Sequence, residues 1–146
     1  MEVKVEGLDR LLKKLDKLGG SIEQSTQKAL LKGGAMFESD AKERCPVDTG
    51  ELRESIHTEA KDAQTVTVGT SCEHGVYVEY GTGPKGDPSV PHTTKESWRY
   101  KDKDGNWHTS HGQPPQPFMR TAFSKNKDKV VDAVKEFIKE DVKNLE

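Results

Sequence analysis

The stretch Cys45-Pro46-Val47-Asp48-Thr49-Gly50-Glu51-Leu52 contains Asp-Thr-Gly, the tripeptide that carries the catalytic carboxylate of aspartic proteases. That chemistry needs two carboxylates held together so that they share one proton, which drives their pKa values apart. A chain with one copy could supply the pair only as a homodimer, with each tripeptide in a loop after an apolar strand. Here the tripeptide follows "ESDAKER", the polar end of a helix, and charged residues follow it at once. Asp48 is therefore read as a shaping residue. Asp48 or Thr49 caps a short helical turn, Gly50 keeps the turn permissive, and Leu52 and Ile56 anchor it to the core from one face.

The other residues suited to chemistry are scattered. His108 and His111, with Asp102 and Asp104 nearby, invite a metal site or a small metal-dependent nuclease. Such a site needs convergent ligands whose orientation is held by further hydrogen bonds, and a His-x-x-His in a Gly- and Ser-rich loop brings no evident scaffold. His57, His74 and His92 stand apart from it. Cys45 and Cys72 lack Cys-x-x-Cys spacing and read as ordinary reduced thiols. No catalytic residue, metal or cofactor is expected. Trp98, Tyr100 and Trp107, interleaved with Arg99, Lys101 and Lys103, fit a nucleic-acid-binding module that stacks on single strands. They also fit cross-strand pairing within a hairpin, and exposed aromatics are favoured interface anchors. A subunit interface is the functional reading preferred for these three aromatics.

The elements that must position these residues follow from periodicity. Leu8, Leu11, Leu12, Leu15 and Leu18 share one helical face, and Gly19-Gly20 stops that helix. Ser21 with Gln24 reads as a capping box, opening a second helix through Ala29, Leu30, Met36, Phe37 and Ala41 to about Arg44, with Pro46 ending it. Gly33-Gly34 inside it marks close backbone packing, or else a kink. The period then becomes two: residues 55–60 and 65–70 predict antiparallel strands joined by a polar turn at 61–64. "GVYVEYGTG" supplies a short apolar element, strand or helical turn. Asp104-Gly105 between two aromatic-rich runs is a hairpin signal. Pro117 suits the first position of a final helix or helix pair through Phe118, Ala122, Phe123, Val130, Val134 and Ile138, with "SKNKDK" as its candidate break.

Only 31% of the residues are hydrophobic and 33% are charged. One modest core with long solvated faces is what that composition allows, and a small core gains from association. The formal net charge of −2 argues against a dedicated nucleic-acid binder. No run approaches a membrane span and no leader opens the chain, so cytosolic synthesis is expected. The expected fold is α+β: amphipathic helices at both ends, packed on a small antiparallel sheet. Residues 1–146 are expected to form one domain, with the core at about 1–83 and 114–146 and a projecting arm at about 84–113.

"CPVDTGELRESI" also resembles the signature of a tailed-phage virion family, the neck or tail-completion proteins of long-tailed siphophages and related prophages. "YVEYGT" at 77–82, "GQPPQPFMRTAF" at 112–123 and an opening amphipathic helix before a longer one match in the same order. The resemblance implies a structural protein without catalysis that assembles as a homo-oligomeric ring between head-side connector and tail tube. DNA would pass through it without sequence-specific binding. It further implies a virion location after a stay in the host cytoplasm, no membrane partner, and a subunit that remains monomeric until a template ring presents its surface. Pro46, Asp48, Thr49, Gly50, Leu52, Ile56, Tyr77, Glu79, Gly81, Pro117 and Phe118 then read as fold and turn determinants. Trp98, Tyr100 and Trp107 remain the candidate subunit interface.

Overall fold

Alternation of apolar and polar residues after Ser55 places Ile56, Val66 and Val68 on one face of a sheet, and that face meets the helices. The computed structural model of the chain describes residues 2–3, 10 and 22–144. The leucine stripe expected at 8–18, the Gly19-Gly20 stop and the Ser21 half of the capping box lie outside these residues. In chain order the elements are β1 (Glu2–Val3), α1 (Ile22–Arg44), α2 (Glu51–Ser55), β2 (Ile56–Asp62), β3 (Thr65–Thr70), α3 (Gly75–Tyr80), a 3-10 turn (Gly83–Lys85), β4 (Trp98–Lys101), β5 (Trp107–Ser110) and α4 (Phe118–Lys143). The fold is α+β.

The main sheet is antiparallel in the order β1-β3-β2. β2 and β3 pair from Ile56 opposite Thr70 to Asp62 opposite Thr65, so the connection is two residues, tighter than expected. Asp62 Oδ1 closes it by accepting the Gln64 N–H at 2.8 Å. β1 adds Glu2 opposite Thr67 and Val3 opposite Val66; two residues are too few to carry a periodicity signal.

α1 lies between the sheet and α4. The two glycines of α1 make this possible, one on each side. A Cβ on Gly34 would stand 2.5 Å from Thr58 Cγ2, and one on Gly33 would stand 2.8 Å from Val134 Cγ2. The glycine pair serves close packing on both sides, and the helix runs through both positions without interruption. Ala29, Leu30, Phe37 and Ala41 from α1 meet Phe118, Ala122, Val130, Val134 and Ile138 from α4 in one core. α4 is also continuous across "SKNKDK". Asn126 explains this locally: its Nδ2 donates to the Ala122 carbonyl within the helix and to Asp40 Oδ2 on α1, both at 2.8 Å.

Candidate assembly surface

α3 begins where Gly75 fits against Thr70 and Leu52, where a Cβ would stand 2.9 Å from Thr70 Cγ2. The resemblance implies that Tyr77, Val78 and Tyr80 pack on the helices; Val78 does pack against the core, but Tyr77 is 55% exposed and the buried side chain of α3 is Glu79, at 5%. Its partners explain the inversion. Glu79 Oε2 accepts the backbone N–H of Met119 at 2.9 Å, and Oε1 accepts those of Arg120, backbone at 3.0 Å and Nε at 2.9 Å. Unsatisfied N–H groups at a helix start attract a carboxylate, and here it comes from 40 residues upstream instead of from the preceding turn. Pro117 occupies the cap position itself, with extended ψ and no side chain to offer; the helix starts one residue later than expected.

Arg120 extends this link to the next segment. Its Nη1 donates to Asp87 Oδ2 at 3.0 Å, its Nη2 donates to the Glu79 carbonyl at 3.1 Å, and its guanidinium lies 4.4 Å from the Tyr80 ring centre. Asp87 also accepts from the Ser89 hydroxyl and backbone N–H. Those two bonds, then Arg120, hold its carboxyl down at about 2. The root of the segment is clamped by backbone: Thr82 and Gln113 exchange N–H···O bonds of 2.9 and 3.1 Å. Gln113 Nε2 and the Gln116 N–H reach back to the carbonyls of Tyr77 and Val78. "YVEYGT" and "GQPPQPFMR" are thus two halves of one joint, which sequence order alone could not disclose.

Beyond the joint, β4 and β5 form the hairpin expected around Asp104-Gly105, with Trp98 opposite Ser110 and Lys101 opposite Trp107. Asp102 staples its turn. It accepts the N–H groups of Asp104 and Asn106 at 2.9 Å, and His108 Nε2 at 2.6 Å. The His108 bond, the largest influence, lowers the Asp102 pKa. His108 and Asp102 therefore serve the turn, and Tyr100 stacks on His108 with centroids 5.4 Å apart. Among the described residues no group of three or more His, Cys, Asp or Glu is arranged to hold a metal ion. His57 Nδ1 and His92 Nδ1 lie against the Ser55 and Val90 carbonyls.

The hairpin's two faces differ. Trp98 and Tyr100 share the face turned to the body, where a Cβ on Gly83 would meet Trp98 Cζ3 at 2.9 Å. Trp107 shares the opposite face with Arg99 and Lys101, whose cationic groups lie 5.0 and 5.2 Å from its ring centre. At the tip Lys103 donates to Glu51 Oε2 on α2 at 3.1 Å. That bond lowers the Glu51 pKa and raises that of Lys103. The arm is folded back upon the body instead of projecting freely.

Between hairpin and body lies a cleft of about 770 Å³, rimmed by Val47, Asp48, Tyr77, Trp98 and Tyr100. A second, of about 810 Å³ and lined by Val76, Tyr80, Val90 and Pro91, adjoins it through Tyr77 and Trp98. In the Asp-Thr-Gly turn Gly50 itself takes the cap position of α2, at φ +86°. The Thr49 hydroxyl accepts the Glu51 N–H at 3.3 Å, while Asp48 is exposed. Leu52 and Ile56 are buried below them, and Cys45, whose pKa is raised by burial, lies in the same core. Cys72 Sγ stands 2.9 Å from His74 Nδ1 in the loop before α3.

The family model "HK97-gp10_like", described as "Bacteriophage HK97-gp10, putative tail-component", matches residues 9–81, half of the chain. The chain belongs to that family. No curated protein and no solved structure matches it. The matched span takes in α1, the Asp-Thr-Gly turn, β2, β3 and α3. Family membership gives the chain a structural role among phage tail components, in contact with other virion proteins. Among the described residues no helix is long and apolar enough to cross a membrane.

Proposed function

We propose that the chain is a neck or tail-completion protein that joins head to tail by assembling as a ring around the DNA path, between connector and tail tube. It does no catalysis, needs no cofactor, and lets DNA pass without reading its sequence. The chain acts as one domain whose residues 84–113 are the assembly arm. Residues from Pro46 to Ile56, Tyr77 to Gly81 and Pro117 to Phe118 act through shape.

One observation carries the reading. The large apolar side chains most exposed among the described residues are Val47, Val76, Tyr77, Tyr100 and Trp107. All belong to the arm or to the two segments of the body that it lies against. Val47, Val76, Tyr77 and Tyr100 line the two adjoining clefts; contiguous exposed apolar surface marks an interaction site, and a tail component has partner surfaces to cover it.

The test is complementation of a phage lacking the gene. Excising residues 85–110 would also remove Asp87 from Arg120 and Trp98 from Gly83, so point changes are cleaner. Tyr100→Ser with Trp107→Ser should leave a folded subunit, while micrographs show filled heads and tails that remain apart. Fully joined particles from that variant would reject the arm as the joining surface. Unjoined particles caused by a variant that is itself unfolded are recognised from its circular dichroism.

A further inference from the structure

We propose that neighbouring copies contact head to tail through two different patches of the chain: the basic outer face of the hairpin, centred on Trp107, and the acidic rim running from Val47-Asp48 to Glu73-Val76. This rests on the ring reading above and names its subunit contact.

The first patch is set by strand register. Arg99, Lys101, Trp107 and Thr109 share one face of the hairpin, and that face carries two cations and no carboxylate. It stands out on a chain whose net charge is −2. Trp107 is 56% exposed, yet its ring already holds Arg99 and Lys101 against it. Stacking a nucleobase there would require displacing them. What the patch offers a partner is the indole edge, its N–H and two positive charges. That combination suits a carboxylate-bearing surface with an apolar spot.

The same chain presents such a surface. Val47, Val76 and Tyr77 are more than half exposed, and Val47, Asp48 and Tyr77 rim the same cleft. Asp48, Glu54 and Glu73 are exposed in these turns, and among the described residues none of their carboxylates has a hydrogen-bond or ion-pair partner. Of the cations nearby, Lys103 is paired with Glu51; Arg53 keeps its charge while its Nε donates to the Lys42 carbonyl at 2.9 Å, and the three carboxylates outnumber it. The rim is therefore acidic and apolar where the hairpin face is basic and aromatic. The two do not overlap, because the hairpin turns its Trp98 face to the cleft and its Trp107 face away. Complementary patches at different places on one subunit make a heterologous contact, the kind that closes into rings.

Carbodiimide coupling tests the pairing directly, since it joins a lysine only to a carboxylate in contact. Equal amounts of isotope-labelled and unlabelled protein are coupled at low salt and up to millimolar concentration, then digested. Mixed-label peptides joining Lys101 to Asp48 or Glu73 are the expected result. Arg99→Glu with Lys101→Glu should abolish these products, as should Glu73→Lys alone, which leaves the Asp-Thr-Gly turn untouched. Mixing the two charge-reversed proteins should restore association by light scattering. Oligomers whose mixed-label peptides join other sites would overturn this pairing and leave the ring reading standing. No mixed-label product at any concentration would also overturn it, while joined particles in the complementation assay would still uphold the ring. Salt-dependent DNA binding lost in the Arg99/Lys101 variant, without protein coupling, would assign the face to nucleic acid and overturn the proposal.

Discussion

Glu79 is a carboxylate removed from water where three N–H groups converge on it, two from the start of α4 and one from the Arg120 guanidinium. Removing it orphans all three and leaves Asp87 as the one carboxylate on Arg120, beside the backbone carbonyl of residue 79 and the Tyr80 ring. Breaking a buried pair from one side costs ~3 kcal/mol or more. The partial exposure of Arg120 places this one at the lower end, so Glu79→Ala should destabilise by about 3 kcal/mol in urea unfolding. Glu79→Gln keeps one acceptor oxygen and should lose clearly less. Equal unfolding midpoints for Glu79→Ala and the parent would show that the carboxylate contributes nothing. Asp87 gives a pH signature. Its pKa is about 2 when folded against an ordinary 3.8. A depressed carboxyl pKa adds stability that is fully present above the ordinary value and disappears as pH falls through the folded one. The melting temperature should therefore drop between about pH 4 and about pH 2, and Asp87→Asn should flatten that limb. A parallel limb in the variant would assign the acid sensitivity elsewhere.

At the scale of elements, α1 shows how packing overrides propensity. Gly34→Ala should gain ~1 kcal/mol of helix propensity. The added Cβ would sit 2.5 Å from Thr58 Cγ2 and 3.0 Å from Val66 Cγ1, two β-branched side chains with little room to turn. Overpacking costs ~1–3 kcal/mol, so the net change should be destabilising by up to about 2 kcal/mol, read from the urea midpoint. A variant more stable than the parent would mean that α1 can lift off the sheet freely. The same contrast explains what the sequence disclosed. α1, α4, β2 and β3 were legible because each buries one face at a regular period. The hairpin was legible because Asp104-Gly105 sits between aromatic strands. α3 was not: its period left strand and helical turn open and the resemblance turned Tyr77 inward, whereas Glu79 is buried by partners 40 residues further along the chain. No local pattern encodes that. Two-residue β1 is too short for one, and the return of the hairpin to the body is made by long-range contacts, Trp98 against Gly83 and Lys103 with Glu51.

For the whole molecule, the question is what holds the arm in place, its tip or its root. The tip contact between Lys103 and Glu51 is largely solvent-exposed on both sides, and such pairs contribute little. The root combines the Thr82–Gln113 backbone exchange, the Arg120–Asp87 pair and Trp98 against Gly83. Gly81 is, with Gly112, one of the two tight points of that root. It sits at φ +73°, and a Cβ there would meet the Gln113 oxygen at 2.6 Å and the Pro115 nitrogen at 2.8 Å, backbone atoms that cannot swing aside. Lys103→Ala should therefore leave both melting and head–tail joining unchanged. Gly81→Ala should loosen the arm: amides of β4 and β5 should exchange hydrogen faster, while those of α1 and α4 keep most of their protection. If the arm is the joining surface, that variant yields folded subunits and unjoined particles, because a partner must then supply the ordering that the root no longer provides. Faster exchange in β4 and β5 after Lys103→Ala, with Gly81→Ala silent, would move the anchor to the tip and reverse this account.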